Sequence, residues 1–368
     1  MKSFRRDIWE DGEYTYAAAY GFVPNIHAFL HEEDDAARDA MLVVPGGGYC
    51  MLAAHEGEPV AKVFYEQGMN VFVLTYTTDI TFSVPLKKQP LNDIARAIRY
   101  LRANGEEFRI AGKKLAICGF SAGAHVCGSV TVHWDDVPET NPKYAGCSAR
   151  PDATILSYPV ITTNEFTHGS SIEALLGPNP SEEELRYFSL EENVTPDTPP
   201  TFLWQTATDM LVPVENSYLF AEACRRNGVP FAHYVFPSGF HGLGLCKGFG
   251  FDGWTDGSYV MEQVDRAVAA VKAGRGVNVP ERRVEELRAQ FPDKEESVPA
   301  GKLSSGDGAA ASAGEPALED GTIASAELNP DGEAAEKEAP AFEFKFDETL
   351  REDVGLWSEL ARVWFARL

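Results

Sequence analysis

From residue 25 onward, short apolar runs alternate along the chain with amphipathic helical patterns. The apolar runs predict strands over 26–30, 41–44, 70–76, 114–118, 152–157, 201–205 and 231–236. Apolar side chains at helical spacing predict helices over 59–67, 91–104, 122–132 and 215–227. Strands that alternate with helices in this way predict an α/β fold, with a mostly parallel central sheet and helices on both of its faces.

The pattern changes after a main domain that we predict to span residues 1–275. Helical patterns over 266–272 and 280–289 are followed by an acidic stretch. Residues 297–341 contain nine Asp or Glu and two Lys, and no Phe, Tyr or Trp. Because such a composition cannot bury enough apolar surface to offset the entropy of ordering, we expect an acidic, largely disordered insertion over 276–345.

The last segment of the chain, 346–368, is apolar again. It carries four large apolar side chains at helical spacing, Leu356, Leu360, Val363 and Trp364. An amphipathic helix with such a face would otherwise leave it in water. We therefore expect this C-terminal helix to pack back on the main domain.

Composition and charge limit the classes of partner. A hydrophobic content of 44% in 368 residues is sufficient for a large core, and the net charge of −24 argues against a nucleic-acid partner. The sequence contains neither a run of about 18 apolar residues nor an apolar signal segment after the basic N-terminus, so we expect no membrane association. Six scattered cysteines without a C-x-x-C pair are typical of free thiols. Together these features favour the cytoplasm.

The most informative motif is Gly119-Phe120-Ser121-Ala122-Gly123, which lies between an apolar strand and a helical pattern rich in small residues. A serine between two glycines at such a junction is typical of the nucleophile elbow of α/β-hydrolases. The turn is sharp enough to strain the backbone, and side chains at the flanking positions would clash. The motif predicts Ser121 as a nucleophile.

A serine nucleophile requires a base and an orienting acid, which α/β-hydrolases supply in the chain order Ser, Asp or Glu, His. His241 lies in a glycine-flanked loop just past the last predicted strand, and we expect it to be the base. Asp209 follows the strand 201–205 and is predicted to be the acid, with Glu215 as the alternative.

A second glycine cluster, Pro45-Gly46-Gly47-Gly48-Tyr49 (the glycine loop), follows the strand 41–44. It lacks the Gly-Lys-Ser/Thr of a phosphate-binding loop and the G-x-G-x-x-G spacing of a dinucleotide site. That spacing does occur at Gly248, Gly250 and Gly253, where we attribute it to chance. We expect Gly47 and Gly48, with Ala122, to donate N–H groups to an oxyanion; which glycine donates stays open.

The polar, proline-rich residues 159–200 separate two predicted strands and lie where this fold class carries a cap over the substrate. We expect a short cap there, which favours small acyl groups. The candidates for contact with the substrate are the residue before the nucleophile, the last residue of the glycine loop and a histidine of the cap: Phe120, Tyr49 and His168.

Taken together, the chain resembles the bacterial α/β-hydrolase esterases that comprise acetyl esterases, acetyl-xylan esterases and bifunctional feruloyl/acetyl-xylan esterases. The resemblance covers about residues 20–250 and rests on the glycine loop, the elbow and four further segments: 56–61, 70–76, 212–217 and 241–245. It implies an α/β-hydrolase fold with Ser121, Asp209 and His241 as the catalytic triad. Gln205 and Thr208 depart from the family pattern, in which His and Asp are frequent at these positions.

The resulting hypothesis is a serine carboxylesterase that hydrolyses short-chain, acetyl-type esters of a small molecule or oligosaccharide and needs no metal or organic cofactor. One alternative is a serine peptidase related to prolyl oligopeptidases. That class has a large N-terminal domain, whereas only about 40 residues precede Met41 here. The other alternative is a non-catalytic hydrolase-fold binding protein, in which one would expect a broken triad.

Overall fold

The computed structural model describes residues 1–247, 251–292 and 352–368. Within these residues one sheet is formed by the strands β1 Lys2–Asp7, β2 Asn25–Leu30, β3 Ala40–Val44, β4 Asn70–Thr75, β5 Leu115–Phe120, β6 Ala153–Ser157, β7 Thr201–Thr206 and β8 Phe231–Phe236. Their order is β1-β2-β4-β3-β5-β6-β7-β8. The pairs β1–β2 and β2–β4 are antiparallel, and all other pairs are parallel. The predicted mostly parallel sheet is therefore confirmed.

The α-helices of the described residues alternate with these strands. They are α1 Glu58–Glu66, α2 Gln89–Ala103, α3 Ser121–His133, α4 Gly169–Leu176, α5 Glu182–Phe188, α6 Glu215–Asn227, α7 Glu262–Lys272, α8 Glu281–Gln290 and α9 Trp357–Phe365. None of them is both long enough and apolar enough to cross a bilayer.

Helices cover both faces of the sheet, as the strand β3 illustrates. Its residues Leu42 and Val44 belong to an apolar cluster that also contains side chains of α2, α3 and α6. Met41 and Val43, which alternate with them, belong to a second cluster with side chains of α1 and α9. Because both faces are covered, all five residues of β3 are buried, and the strand is a continuous apolar run. The predicted two-sided arrangement of helices is confirmed.

The edge strand β1 is not among the strands predicted from the sequence. It pairs with β2 from Lys2 opposite Leu30 to Asp7 opposite Asn25. Five of its six residues are exposed, and Phe4 alone packs partly against the core. An edge strand made of charged residues lacks the apolar signal by which strands are recognised, although charge on an edge protects it from pairing with other chains.

Between β6 and β7 the chain leaves the sheet over residues 158–200, where the cap was predicted, and forms α4 and α5. Helix α5 begins with a capping box. The Ser181 hydroxyl accepts from the Glu184 amide at 3.2 Å, and the Glu184 carboxylate accepts from the Ser181 amide at 3.0 Å. Residues 158–200 therefore form short helices although their sequence has no long apolar stripe.

The C-terminal part differs from the expectation in two respects. Helix α7 begins at Glu262, four residues before the predicted start at 266. Helix α8 confirms the helical pattern predicted over 280–289, but it lies within the segment predicted as a largely disordered insertion, and its Leu287 is fully buried in a cluster with α7 and Ile80. Residues 276–292 thus belong to the packed part of the chain. The remainder of that expectation, 293–345, lies outside the described residues.

Helix α9 packs on the sheet face that α1 also covers. Trp357, the first residue of α9, is fully buried. Its ring stacks on that of Trp204 in β7, with centroids 5.3 Å apart and an interplanar angle of 17°. It also meets Phe120 edge to face at 5.8 Å. The structure thus places the C-terminal helix against the main sheet, on Trp204 of β7 and Phe120 of β5.

Replacing Trp357 by alanine would leave a large cavity between α9 and the sheet. We expect Trp357→Ala to lower the free energy of unfolding by about 3–5 kcal/mol, measured by urea denaturation. Leu356→Ala is the matched control, because Leu356 precedes Trp357 but is 53% exposed; its effect should stay within about 0.5 kcal/mol. Equal effects of the two substitutions would contradict this packing.

Candidate active site

Ser121 lies at an abrupt junction between a strand and a helix. Strand β5 ends at Phe120, which is extended with φ −126° and ψ 133°, and α3 begins at Ser121 itself. Ser121 adopts a φ of +51°, which is left-handed and costs a non-glycine residue about 1–3 kcal/mol. Because the first turn of α3 follows at once, its unpaired amides lie beside the serine.

The glycines at both ends of the motif are required by close main-chain contacts. A Cβ on Gly119 would lie 2.4 Å from the carbonyl oxygen of Gly123. A Cβ on Gly123 would lie 2.3 Å from the carbonyl oxygens of both Val44 and Pro45, at the end of β3. Any side chain at either position would force the junction apart, so these glycines allow the turn that exposes the serine hydroxyl to its partners.

The structure brings Ser121, His241 and Asp209 together. The Ser121 Oγ is 2.7 Å from the Nε2 of His241, and the Nδ1 of His241 is 2.7 Å from the Oδ2 of Asp209. With a carboxylate at Nδ1, the neutral ring carries its proton there, and Nε2 is left to accept from the serine hydroxyl. This is the hydrogen-bond chain required to activate a serine nucleophile.

The carboxylate of Asp209 is held in place by main-chain amides. Its Oδ1 accepts from the amides of Leu211 at 3.0 Å and Val212 at 2.9 Å. The side chain of Gln205, in β7, donates from Nε2 to the carbonyl of Val212 at 2.7 Å. Gln205, which departs from the family pattern, therefore fixes the turn of residues 207–212 that carries Asp209, which we call the acid turn.

Thr208, the second departure, connects the acid turn to the residues before the histidine. We call residues 237–245, which follow β8 and contain His241, the histidine loop. The Thr208 hydroxyl donates to the carbonyl of Gly239 and accepts from its amide, both at 2.9 Å. Thr206 donates to the same carbonyl at 3.0 Å. Hydroxyl groups thus hold the histidine loop beside the acid turn.

The glycine loop passes directly against Ser121. A Cβ on Gly46 would lie 2.9 Å from the Cβ of Ser121. Gly47 and Gly48 have φ values of +124° and +62°, a region that glycine adopts without strain. In the described part of the chain the amide of Gly46 donates to Glu56, whereas the hydrogen bonds use neither the Gly47 nor the Gly48 amide as a donor. These two amides are thus available to a ligand.

Two of the expected substrate contacts are wrong. The Tyr49 side chain is 1% exposed, and its hydroxyl lies 2.7 Å from the Nδ1 of His125 in the core. Phe120 is fully buried against Trp357 on the opposite face of the sheet from α3. Closeness in sequence to the glycine loop and to Ser121 did not determine the direction of these side chains, and both serve packing.

His168, the third expected contact, lies beside the site. Burial and, to a lesser extent, the neighbouring His241 together lower the pKa of His168 to about 4, so the ring is neutral at neutral pH. Its Nδ1 lies 2.8 Å from the Oγ of Ser171. That Oγ is in turn 3.9 Å from the position of a Cβ on Gly48. The His168–Ser171 pair therefore borders the glycine loop.

Three buried side chains with polar atoms lie around the site and were not predicted from the sequence: Glu56, Tyr158 and Trp357. Glu56 accepts from the amide of Gly46 at 2.7 Å, and Tyr158 and Trp357 bond to Gly244 of the histidine loop at 3.0 and 2.9 Å. A signal existed for Tyr158, which directly follows β6 at the edge of the sheet where parallel strands end. Trp357 carries no such signal, because its contact depends on how α9 packs.

Comparison with known proteins gives a matching family model and two curated relatives. The BD-FAE family model matches residues 27–224. Endo-1,4-beta-xylanase B of Butyrivibrio fibrisolvens is 61% identical over 271 residues, which cover 74% of this chain and 42% of that protein. Acetylxylan esterase of Xylanibacter ruminicola is 30% identical over 257 residues, which cover 67% and 47% respectively. The chain therefore spans less than half the length of these relatives.

A solved structure matches over nearly its whole length. The crystal structure of an acetyl ester-xyloside bifunctional hydrolase from Caldicellulosiruptor lactoaceticus is 34% identical and has a TM-score of 0.61. The match covers 74% of this chain and 97% of that chain. Together with the mostly parallel sheet, this likeness shows the α/β-hydrolase fold.

The close contacts of Gly123 predict a strong effect of a single methyl group. We expect Gly123→Ala to lower the free energy of unfolding by about 3 kcal/mol, because its Cβ would overlap two main-chain carbonyls. Urea denaturation measures this change. Gly146→Ala is the matched control, since nothing lies within 4 Å of its Cβ position. A Gly123→Ala protein as stable as Gly146→Ala would refute the proposed reason for this glycine.

Proposed function

This chain belongs to the BD-FAE family of α/β-hydrolases, and we propose that it is a serine carboxylesterase that hydrolyses short-chain, acetyl-type esters of carbohydrates. The observation that carries the proposal is the pair of 2.7 Å contacts that join Ser121 to His241 and His241 to Asp209. In the mechanism we propose, Ser121 is the nucleophile, His241 the general base and Asp209 the orienting acid.

The reaction begins when Nε2 of His241 takes the hydroxyl proton of Ser121 as Oγ attacks the ester carbonyl. Asp209 stabilises the imidazolium that forms. The tetrahedral oxyanion lies against the amides of Ala122, Gly47 and Gly48, and each such donor contributes about 10²–10³ in rate. The imidazolium then protonates the leaving alcohol. A water molecule activated by His241 finally releases the acid from the acyl-enzyme.

The substrate class is inferred from chemistry and from relatives. An acetylxylan esterase and an acetyl ester-xyloside hydrolase are both at least 30% identical to this chain. The xylanase relative is more than twice as long as the part matched, and the Ser–His–Asp chain here suits ester rather than glycosidic bonds, which are cleaved by paired carboxylates. The acyl group is proposed to be small, because the cap between β6 and β7 is short and contains only the helices α4 and α5 and one 3₁₀ turn.

Hydrolysis of 4-nitrophenyl esters tests the acyl preference and the nucleophile. We expect the protein to hydrolyse the acetate faster than the butyrate and longer esters. Ser121→Ala should lower kcat by at least about 10⁴-fold, because it removes the nucleophile. Ser129→Ala, a buried serine of the same helix whose hydroxyl donates to the His125 carbonyl, is the control and should keep full activity. Activity that survives in Ser121→Ala, or a preference for X-Pro peptides, would overturn the proposal.

The role of Asp209 can be separated from that of Glu215, the alternative acid. Asp209→Asn should lower kcat by about 10⁴-fold, because an amide N–H facing Nδ1 favours the tautomer whose Nε2 cannot accept from Ser121. Glu215→Gln, in the first turn of α6, should leave kcat within about twofold of the wild type. Steady-state kinetics with 4-nitrophenyl acetate measure both. The opposite pattern would make Glu215 the acid.

A further inference from the structure

Two loops must keep their relative position for the proposed reaction: the glycine loop and the histidine loop. We propose that Glu56 and Tyr158 are positioning residues that join these loops through a buried chain of hydrogen bonds. The inference rests on the proposed function, since the loops it joins supply the oxyanion donors and the base. Neither residue is assigned a step in the chemistry.

The first half of the connection is the carboxylate of Glu56. Its side chain is 2% exposed, and its Oε2 accepts from the amide of Gly46 at 2.7 Å. Gly46 immediately precedes the two glycines whose amides face no partner in the described chain. The Oε1 of Glu56 accepts from the hydroxyl of Tyr158 at 2.6 Å. Each carboxylate oxygen thus has a donor, as a buried charge requires.

The second half is the phenol of Tyr158. Its hydroxyl donates to Glu56 and accepts from the amide of Gly244 at 3.0 Å, so both of its hydrogen-bonding functions are used. Its ring meets the His241 ring edge to face, with centroids 5.0 Å apart. Burial and the charge of Glu56 raise the pKa of Tyr158 well above its usual value of 10. The phenol therefore stays protonated and keeps donating.

The backbone of Tyr158 supports a role beyond packing. Tyr158 has a φ of +37°, a conformation that a bulky aromatic residue rarely adopts. It is fixed by a 2.7 Å hydrogen bond from its amide to the carbonyl of Trp204. Strained residues persist where the surrounding structure determines them, and they cluster at functional sites. Here the strained backbone conformation directs the phenol toward the two loops.

Other contacts also hold the histidine loop, and one of them lies close to Glu56, because the Nε2 of His55 is 3.8 Å from the Oε1 of Glu56. His55 donates from Nε2 to the carbonyl of Gly242 at 3.0 Å, and Trp357 donates from Nε1 to the carbonyl of Gly244 at 2.9 Å. Among the described hydrogen bonds, only those of Glu56 and Tyr158 connect Gly46 to Gly244. Loss of either side chain should therefore misalign the base and the oxyanion donors without removing either of them.

The test is a double-mutant cycle with Tyr158→Phe, Glu56→Gln and the double variant. Tyr158→Phe removes the hydroxyl and keeps the ring, and Glu56→Gln replaces an acceptor by a donor. We expect each single substitution to lower kcat on 4-nitrophenyl acetate by up to about 10²-fold, the loss typical of a small misplacement of reacting groups. KM should stay within about twofold. Because the pair acts as a unit, the double variant should lose no more than the worse single variant.

The control is Tyr144→Phe, which removes the hydroxyl of another buried tyrosine, one that packs beside Tyr100 of α2. Its kcat should equal that of the wild type. Urea denaturation of each variant separates a general loss of stability from a loss of alignment. If Tyr158→Phe is not recovered folded, the kcat and KM of Glu56→Gln decide the question by the same criterion.

The rate of Ser121 labelling by a fluorophosphonate probe gives a second readout that needs no natural substrate. We expect it to fall in parallel with kcat. A folded Tyr158→Phe protein with unchanged kcat and labelling rate would overturn the inference, and so would losses that add in the double variant. A wild-type protein that neither hydrolyses esters nor is labelled would instead refute the proposed function, and the positioning role with it.

Discussion

The backbone of Ser121 is the constraint on which the rest of the site depends. A φ of +51° at this residue turns the chain from β5 into α3 within a single peptide and leaves the hydroxyl at the edge of the sheet. The same turn presses Gly123 against the carbonyls of Val44 and Pro45, so three main-chain segments meet with no room for a side chain. Such a junction is strained by itself. It is held by the buried parallel pairs that β5 forms with β3 and β6.

Beyond the ends of the strands, hydrogen bonds from side chains replace the hydrogen bonds between strands in fixing the backbone. The loops that carry Asp209 and His241 leave the hydrogen bonding of the sheet, so their backbone groups need other partners. Gln205 and Thr208 supply them for the acid turn and the histidine loop, and Asn216 does the same between β6 and α6 by accepting from Ile161 and Thr162. Residues that depart from the family pattern thus still perform a positioning task, with amide and hydroxyl groups.

The sheet and the proximity of Ser121, Asp209 and His241 could be predicted because each depends on local pattern. Buried parallel strands are continuous apolar runs, and their carboxyl ends share one edge of the sheet, so residues that follow different strands meet there. Tyr49 and Phe120 were assigned wrongly because the pattern does not give the direction of a side chain at a turn. The contacts of Glu56 and Tyr158 depend on tertiary packing between elements about 100 residues apart, which no short motif encodes.

The C-terminal helix shows that the part of the chain that supports the site is longer than the part matched by the family model. That match ends at residue 224, before both His241 and α9. Trp357 nevertheless contacts two parts of the site at once: its ring stacks on Trp204 in the strand that leads to Asp209, and its Nε1 bonds to Gly244 in the histidine loop. The apolar face of α9 is buried against the sheet and stabilises the fold, and the same burial places the Nε1 of Trp357 where it can donate to the histidine loop. Stability and geometry of the site are linked through this single side chain, because the stacking that orders α9 also fixes the donor that holds the loop.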